Sequence, residues 1–302
     1  MNDEAWSRWA RGPCARVQGS DAPTEEVHIV FAVPFVAGAL LMTAPTASPN
    51  SAAVKQHLQA IASSTVLFGH QSVGSNLLDG LQALAKGEGI DLRISEVEGA
   101  QELRPGTLGH VFVAHNGDPR RKLASFGSAL EGADPDVALV KFCYVDFDST
   151  TDARALFSEY EKTLQALRAK HPRTTFVHVT VPLQADEGML KSLAKKLLGK
   201  KTGAVPTNAR REEFNGLLRR AYAGEPLFDL ARVESVDSSG QPVSARFDGK
   251  PVPMLAREYT HDGGHLNAAG SWRAALEFVN VVGNALAARR TPGLEETGAG
   301  AR

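Results

Sequence analysis

Cysteine is nearly absent: Cys14 and Cys143 are the only two in 302 residues. That excludes a disulfide-stapled mini-fold and any multi-cysteine metal site. A chain of this length builds its core without such cross-links. An excess of one charge is also missing, since 33 Lys+Arg against 34 Asp+Glu leave a formal net charge of -1. No long-range positive field is therefore available to gather nucleic acid, and no nucleic-acid partner is expected. Glycine-rich phosphate loops are lacking too, because neither Gly-x-Gly-x-x-Gly nor Gly-x4-Gly-Lys-Ser/Thr follows the first strand. His70, His110, His115, His261 and His265 lack a helical i, i+4 pair or any Cys spacing, so neither a metal nor an organic cofactor is expected. What the chain does have is an ordinary globular composition, 43% hydrophobic and 22% charged.

The ends differ from the middle. A polar leader carrying Trp6 and Trp9 is followed by the uncharged, apolar Ile29 to Met42, then by the small residues and prolines of TAPTASPNSAA. The apolar stretch is short for a membrane span, which needs about 20 residues, and suits the apolar region of a secretory signal. Export to a periplasmic or extracellular space is the expectation, with no stable membrane span left in the mature protein. Glu25 and Glu26 stand where a signal normally has basic residues; if the segment is not functional, the location is cytoplasmic. The sequence divides into a leader (1–50), one folded domain (51–290) and a tail (291–302) without apolar periodicity.

Within the folded part, short β-rich runs alternate with amphipathic stretches, the pattern of a parallel sheet with helices on both faces. Strands are expected at Thr65–Gly69, Leu92–Val97, Val137–Phe142, Thr175–Val181 and Leu227–Leu230. Helices are expected at Val54–Ala62, Asn76–Lys86, Asp152–Lys170, Arg210–Ala223 and Asn267–Ala288. The fold class is thus α/β, a three-layer α/β/α sandwich with a mainly parallel sheet of about five strands. Two insertions interrupt it: a lysine-rich helical pattern at Met189–Lys201, and a hairpin pattern at Val236–Pro253 with Asp248-Gly249 at a turn.

In open parallel sheets ligands bind beyond the carboxyl ends of the strands. After the first strand comes Gly69-His70-Gln71-Ser72-Val73-Gly74, which puts Ser72 at a strand-to-helix turn. A serine there can act as a nucleophile while its own N–H, unpaired at a helix start, faces a developing oxyanion. Just before the last helix lies Asp262-Gly263-Gly264-His265-Leu266-Asn267. A serine nucleophile needs a base, and the base needs a carboxylate on its other nitrogen. Asp262 on Nδ1 of His265 would leave Nε2 for Ser72. Taken separately, the first motif also reads as a helix cap and the second as a hydrogen-bonded loop.

Together these blocks resemble the SGNH (GDSL-type) hydrolase superfamily of esterases and lipases, over most of Thr65 to Ala288. DGGHLNAAG carries the resemblance most strongly; Gly-His-Gln-Ser stands in place of the usual Gly-Asp-Ser. The resemblance implies a flavodoxin-like SGNH hydrolase fold and a Ser72, His265, Asp262 triad acting on carboxylic esters, of an acetylated carbohydrate or of a lipid. It also implies an oxyanion hole from the N–H of Ser72, the N–H of Gly117 and an Asn side chain after the third strand. In that last place the chain reads Cys143-Tyr144-Val145-Asp146, with valine where the amide is expected. Asn116 and Tyr144 are the candidate replacements, and His70 and Tyr144 the candidate substrate contacts. Two other functions stay open: a non-catalytic carbohydrate- or ligand-binding module on the same fold, and an O-acyltransferase using the same residues.

Overall fold

The computed structural model describes residues 49–186 and 203–290. The expected leader, apolar signal-like stretch, lysine-rich helix and tail lie outside the described residues.

A six-stranded sheet runs β2 (Arg93–Glu96), β3 (Thr107–Phe112), β1 (Thr65–His70), β4 (Val137–Val140), β5 (Thr175–Val179), β6 (Leu227–Phe228), in that spatial order. Every pairing in it is parallel. Parallel strands must be joined by crossovers, and covering both faces with helices removes both from water. The side chains show this by alternation. Val66 and Phe68 of β1, Val137 and Leu139 of β4, and Val177 and Val179 of β5 join one core cluster. Leu67, Ala138, Val140 and Phe176 join the other.

The first cluster packs under α1 (Pro49–Ile61), α2 (Ser72–Gly87), α6 (Leu230–Glu234) and α7 (Ala268–Arg290). The second packs under α3 (Pro119–Ala129), α4 (Ala153–Lys170) and α5 (Ala204–Ala221). The three layers are those the sequence predicts, with one strand more. β3 and α3 were not expected. β3 (TLGHVF) carries Gly109 and His110 in place of a clean apolar run, and α3 begins PRRK, which reads as polar. Its start is nonetheless well specified: Asp118 Oδ1 accepts the Arg121 N–H at 3.0 Å, and Pro119 occupies the first turn, where a missing N–H costs nothing.

The expected hairpin forms from β7 (Ser244–Phe247) and β8 (Lys250–Pro253), antiparallel, with Asp248 at φ 49° and Gly249 at φ 75° in the turn. Two successive positive φ values match the twist of the flanking strands. The hairpin packs on α5 through Val252 and Met254 against Ala204. The end of β5 is tied to α5 by a reciprocal pair, with Val181 N–H donating to Asn215 Oδ1 at 2.7 Å and Asn215 Nδ2 donating to Val181 O at 3.0 Å. Pro182, three residues beyond the strand, has no backbone donor to leave unpaired.

The feature that positions the site is the approach of α2 to α7. A Cβ built on Gly80 would overlap the backbone carbonyl of Ser271, so the two helices touch there without a side chain between them. Gly80→Ala should therefore destabilise the fold by about 1–3 kcal/mol, the ordinary cost of overpacking. Gly87→Ala, where a Cβ meets nothing within 4 Å, should leave stability unchanged or raise it. Thermal melts followed by circular dichroism separate the two outcomes.

Candidate active site

Only Gln71 separates the last residue of β1 from the first of α2. This short connection holds Ser72 at the carboxyl edge of the sheet, in the first turn of a helix. The helix's N-cap, Gln71, makes no side-chain cap bond, so the N–H groups of Ser72 and Val73 keep the free donor character of a helix start. The Gln71 side chain is used elsewhere. Its Nε2 donates to Val113 O at 2.6 Å and to Ala114 O at 2.9 Å. This clamps the β3–α3 loop against the turn that bears Ser72.

The loop before α7 is closed by an antiparallel bridge between Thr260 and Leu266. Inside it, Asp262 Oδ1 accepts the N–H groups of Gly264 at 2.9 Å and His265 at 2.8 Å. Asp262 Oδ2 meets His265 Nδ1 at 2.6 Å. Burial works to raise the Asp262 carboxyl, but the bonds from His265 and the two N–H groups outweigh it and hold the group well below the usual carboxylate range. An ionised carboxylate only accepts, so Nδ1 carries a proton, and in the neutral ring the lone pair is then on Nε2. That Nε2 lies 3.0 Å from Ser72 Oγ, across 193 residues of sequence. Asn76 Oδ1, one turn into α2, accepts the Leu266 N–H at 3.2 Å and locks the two loops together.

Tyr144 stands beside this trio. Its ring meets the His265 ring edge-on at 5.8 Å, and its carbonyl accepts from the buried Arg211 Nε at 3.0 Å. A Cβ on Gly264 would lie 2.6 Å from Tyr144 Cζ, so a side chain there would displace the tyrosine ring. Burial and the neighbouring Cys143 push the Tyr144 hydroxyl up to about 12, so it stays neutral.

Two of the expected site residues are engaged within the protein. His70 is not placed to contact a substrate, for it is fully buried. As the last residue of β1 it projects under the first turn of α2, where a Cβ on Gly74 would collide with its ring. Its Nδ1 donates to Gln71 O at 3.0 Å, and its Nε2 accepts from His110 Nδ1 at 3.1 Å. Desolvation lowers its pKa to about 3. Gly117 is exposed at φ 93°, a conformation suited to glycine, but its N–H is not a free donor: it is given to Asp146 Oδ1 at 2.8 Å.

Asp146 and Lys122 form a cluster the sequence reading missed. Both side chains are fully buried, and Lys122 Nζ lies 2.8 Å from Asp146 Oδ1 and 2.7 Å from Oδ2. Asp146 Oδ2 also accepts the Cys143 N–H at 2.6 Å. The third proton of the ammonium goes to Asn116 Oδ1 at 2.8 Å. The available signal was position: Lys122 falls on the apolar face of α3 with Phe126 and Ala129. Val145, between Tyr144 and Asp146, points outward and is 44% exposed. Among the described residues no group of three or more His, Cys, Asp or Glu side chains is arranged to hold a metal, and no helix is long and apolar enough to cross a membrane.

No family model and no curated protein matches the chain. Among solved structures it is similar to the acetyl xylan esterase AlAXEase at 16% identity, covering 70% of this chain and 96% of that one, with a TM-score of 0.42. It is similar to an acetyl esterase variant with an acetate ion at 12% identity, covering 74% and 97%, TM-score 0.44. It is also similar to the periplasmic domain of a lipopolysaccharide acetyltransferase from Salmonella ser. Paratyphi A at 12% identity, covering 78% and 96%, TM-score 0.38.

Two stability measurements check this description. Lys122→Met leaves Asp146 buried without its counter-charge and should cost about 3–5 kcal/mol, whereas Lys122→Met with Asp146→Asn should cost clearly less; urea midpoints at pH 7 report both. The lowered pKa of His70 means that between about pH 6.5 and its folded value the unfolded chain takes up a proton that the folded chain refuses. Stability from this group is complete above that window and is lost as pH falls through it. The urea midpoint should therefore drop between pH 7 and pH 4.5, and drop less in His70→Phe.

Proposed function

We propose that the protein is a serine hydrolase of carboxylic esters. The observation that carries the reading is the continuous chain Asp262 Oδ2, His265 Nδ1, His265 Nε2, Ser72 Oγ, with links of 2.6 Å and 3.0 Å, at the carboxyl edge of a parallel sheet. Both gaps are within the reach that proton transfer requires.

In this reading Ser72 Oγ attacks the ester carbonyl carbon as its proton passes to His265 Nε2. Asp262 keeps the ring in the right tautomer and offsets the positive charge of the imidazolium. The carbonyl π electrons move onto the oxygen, which the helix-start N–H of Ser72 faces, together with the Asn116 amide. Collapse of the tetrahedral intermediate breaks the bond to the leaving alkoxide, which takes the proton from His265 and departs as an alcohol. Water, deprotonated by the same nitrogen, then attacks the acyl-Ser72 ester and releases the acid. Gly117 has no part, because its N–H already binds Asp146. Substrates are small-molecule esters, of acylated carbohydrates or of lipids. An acyltransferase would differ only in the acceptor: a sugar hydroxyl in place of water at the second attack.

The full chain assayed on p-nitrophenyl acetate should show turnover that Ser72→Ala reduces to the uncatalysed background. Asp262→Asn, which keeps the shape but reverses the tautomer preference, should lower kcat by about 10⁴-fold. An unchanged rate in Ser72→Ala would sink the reading and favour a non-catalytic binding module. Adding a carbohydrate to the wild-type assay identifies transfer if O-acylated sugar forms faster than free acid.

A further inference from the structure

A site that stabilises an oxyanion needs donors aimed at one point and held there before the charge develops. Two groups that would be expected to do so here cannot. Val145 has no polar side chain, and the Gly117 N–H is held by Asp146. The chain nevertheless buries a full positive charge directly behind the loop that faces the site. Lys122 is 0% exposed, and its three protons have three acceptors: both oxygens of Asp146 and Asn116 Oδ1.

The last of these bonds decides how the Asn116 amide is turned. A lysine ammonium donates only, so the group facing it must be the amide oxygen. The NH2 on the same planar carbon is then directed away from the buried ammonium. Asn116 itself is exposed, and its loop lies against the Ser72 turn, because Gln71 Nε2 grips Val113 O and Ala114 O at 2.6 and 2.9 Å. An asparagine free in solvent would sample both amide orientations, and only one turns the NH2 away from Lys122. The bond to Lys122 selects that one.

We infer that Lys122 is a positioning residue: by holding Asn116 Oδ1 it presents the Asn116 NH2 as the oxyanion donor that Val145 cannot supply. Asp146 completes the device by fixing the ammonium from below and by binding the Gly117 N–H, which sets the course of the loop one residue beyond Asn116. Withdrawing an electropositive Nζ proton toward the amide oxygen also polarises the amide and makes its N–H groups stronger donors. The inference rests on the Ser72 reading above.

The test uses the full chain, p-nitrophenyl acetate turnover, and the rate of labelling by a fluorophosphonate, which phosphonylates an active serine with loss of fluoride and leaves a tetrahedral adduct whose phosphoryl oxygen takes the oxyanion position. Asn116→Asp keeps an acceptor for Lys122 at an exposed position but has no NH2. It should fold normally by circular dichroism, lose about 10²-fold in kcat with KM nearly unchanged, and label correspondingly slowly. Lys122→Met with Asp146→Asn, which removes both buried charges, should lose a similar factor. Adding Asn116→Ala to that pair should cost less than about threefold more, since residues acting as one unit are not additive. The inference is overturned if Asn116→Asp retains kcat within about threefold of the parent, or if the losses multiply. Should the charge-neutral pair fail to fold, Asn116→Asp decides alone. Activity surviving in Ser72→Ala removes the underlying reading; an inactive Ser72→Ala beside an unimpaired Asn116→Asp removes this inference only.

Discussion

The buried pair Lys122–Asp146 is the constraint on which the rest of the site depends. Neither charge reaches water, and each is stable there because every lone pair and proton in reach is used. The partners come from three separate segments: the β3–α3 loop, α3 itself, and the turn after β4. One ion pair thus fixes the relative position of two loops that the parallel sheet alone would leave independent. A buried pair is costly to form compared with apolar packing. Its presence beside the carboxyl edge, where the apolar alternative would serve stability as well or better, fits a role in geometry.

The other half of the site is built by packing. α2 and α7 approach until glycine is the only residue that fits between them at position 80; Ser72 lies in the first turn of α2 and His265 in the loop that leads into α7. The 3.0 Å between Ser72 and His265 is a result of that helix contact, refined by the Asn76 link to Leu266. His70 supports the same turn from beneath. Its desolvated, neutral ring fills the space under Gly74 and would not tolerate a charge.

Much of this could be read from the sequence, and the reasons for success and failure are physical. That Ser72, Asp262 and His265 meet was legible because each motif is local: a strand followed at once by a helix, and an Asp three residues before a His in a glycine-rich loop. The layers were legible because buried parallel strands such as VALV are apolar throughout. β3 was not, since Gly109 and His110 break its pattern; Gly109 is there because a Cβ would press on Val97 and Leu103. The sheet accordingly has six strands where about five were expected. Lys122 and Asp146 were not legible either, because pairing across 24 residues leaves no periodic trace and a lysine in PRRK looks solvated. The same pairing engages the Gly117 N–H, and His70 is buried at a strand end, neither of which composition or spacing reveals.

The loop that carries Asp262 and His265 closes on itself through the Thr260–Leu266 bridge and holds three of its own bonds to Asp262 from the backbone and ring of residues 264 and 265. Counted in degrees of freedom, His265 and Asp262 are therefore tied to one another as a single cassette. Fluctuations of the surrounding protein act on a single coordinate, the separation of that cassette from Ser72, and leave the internal tautomer and ring orientation untouched.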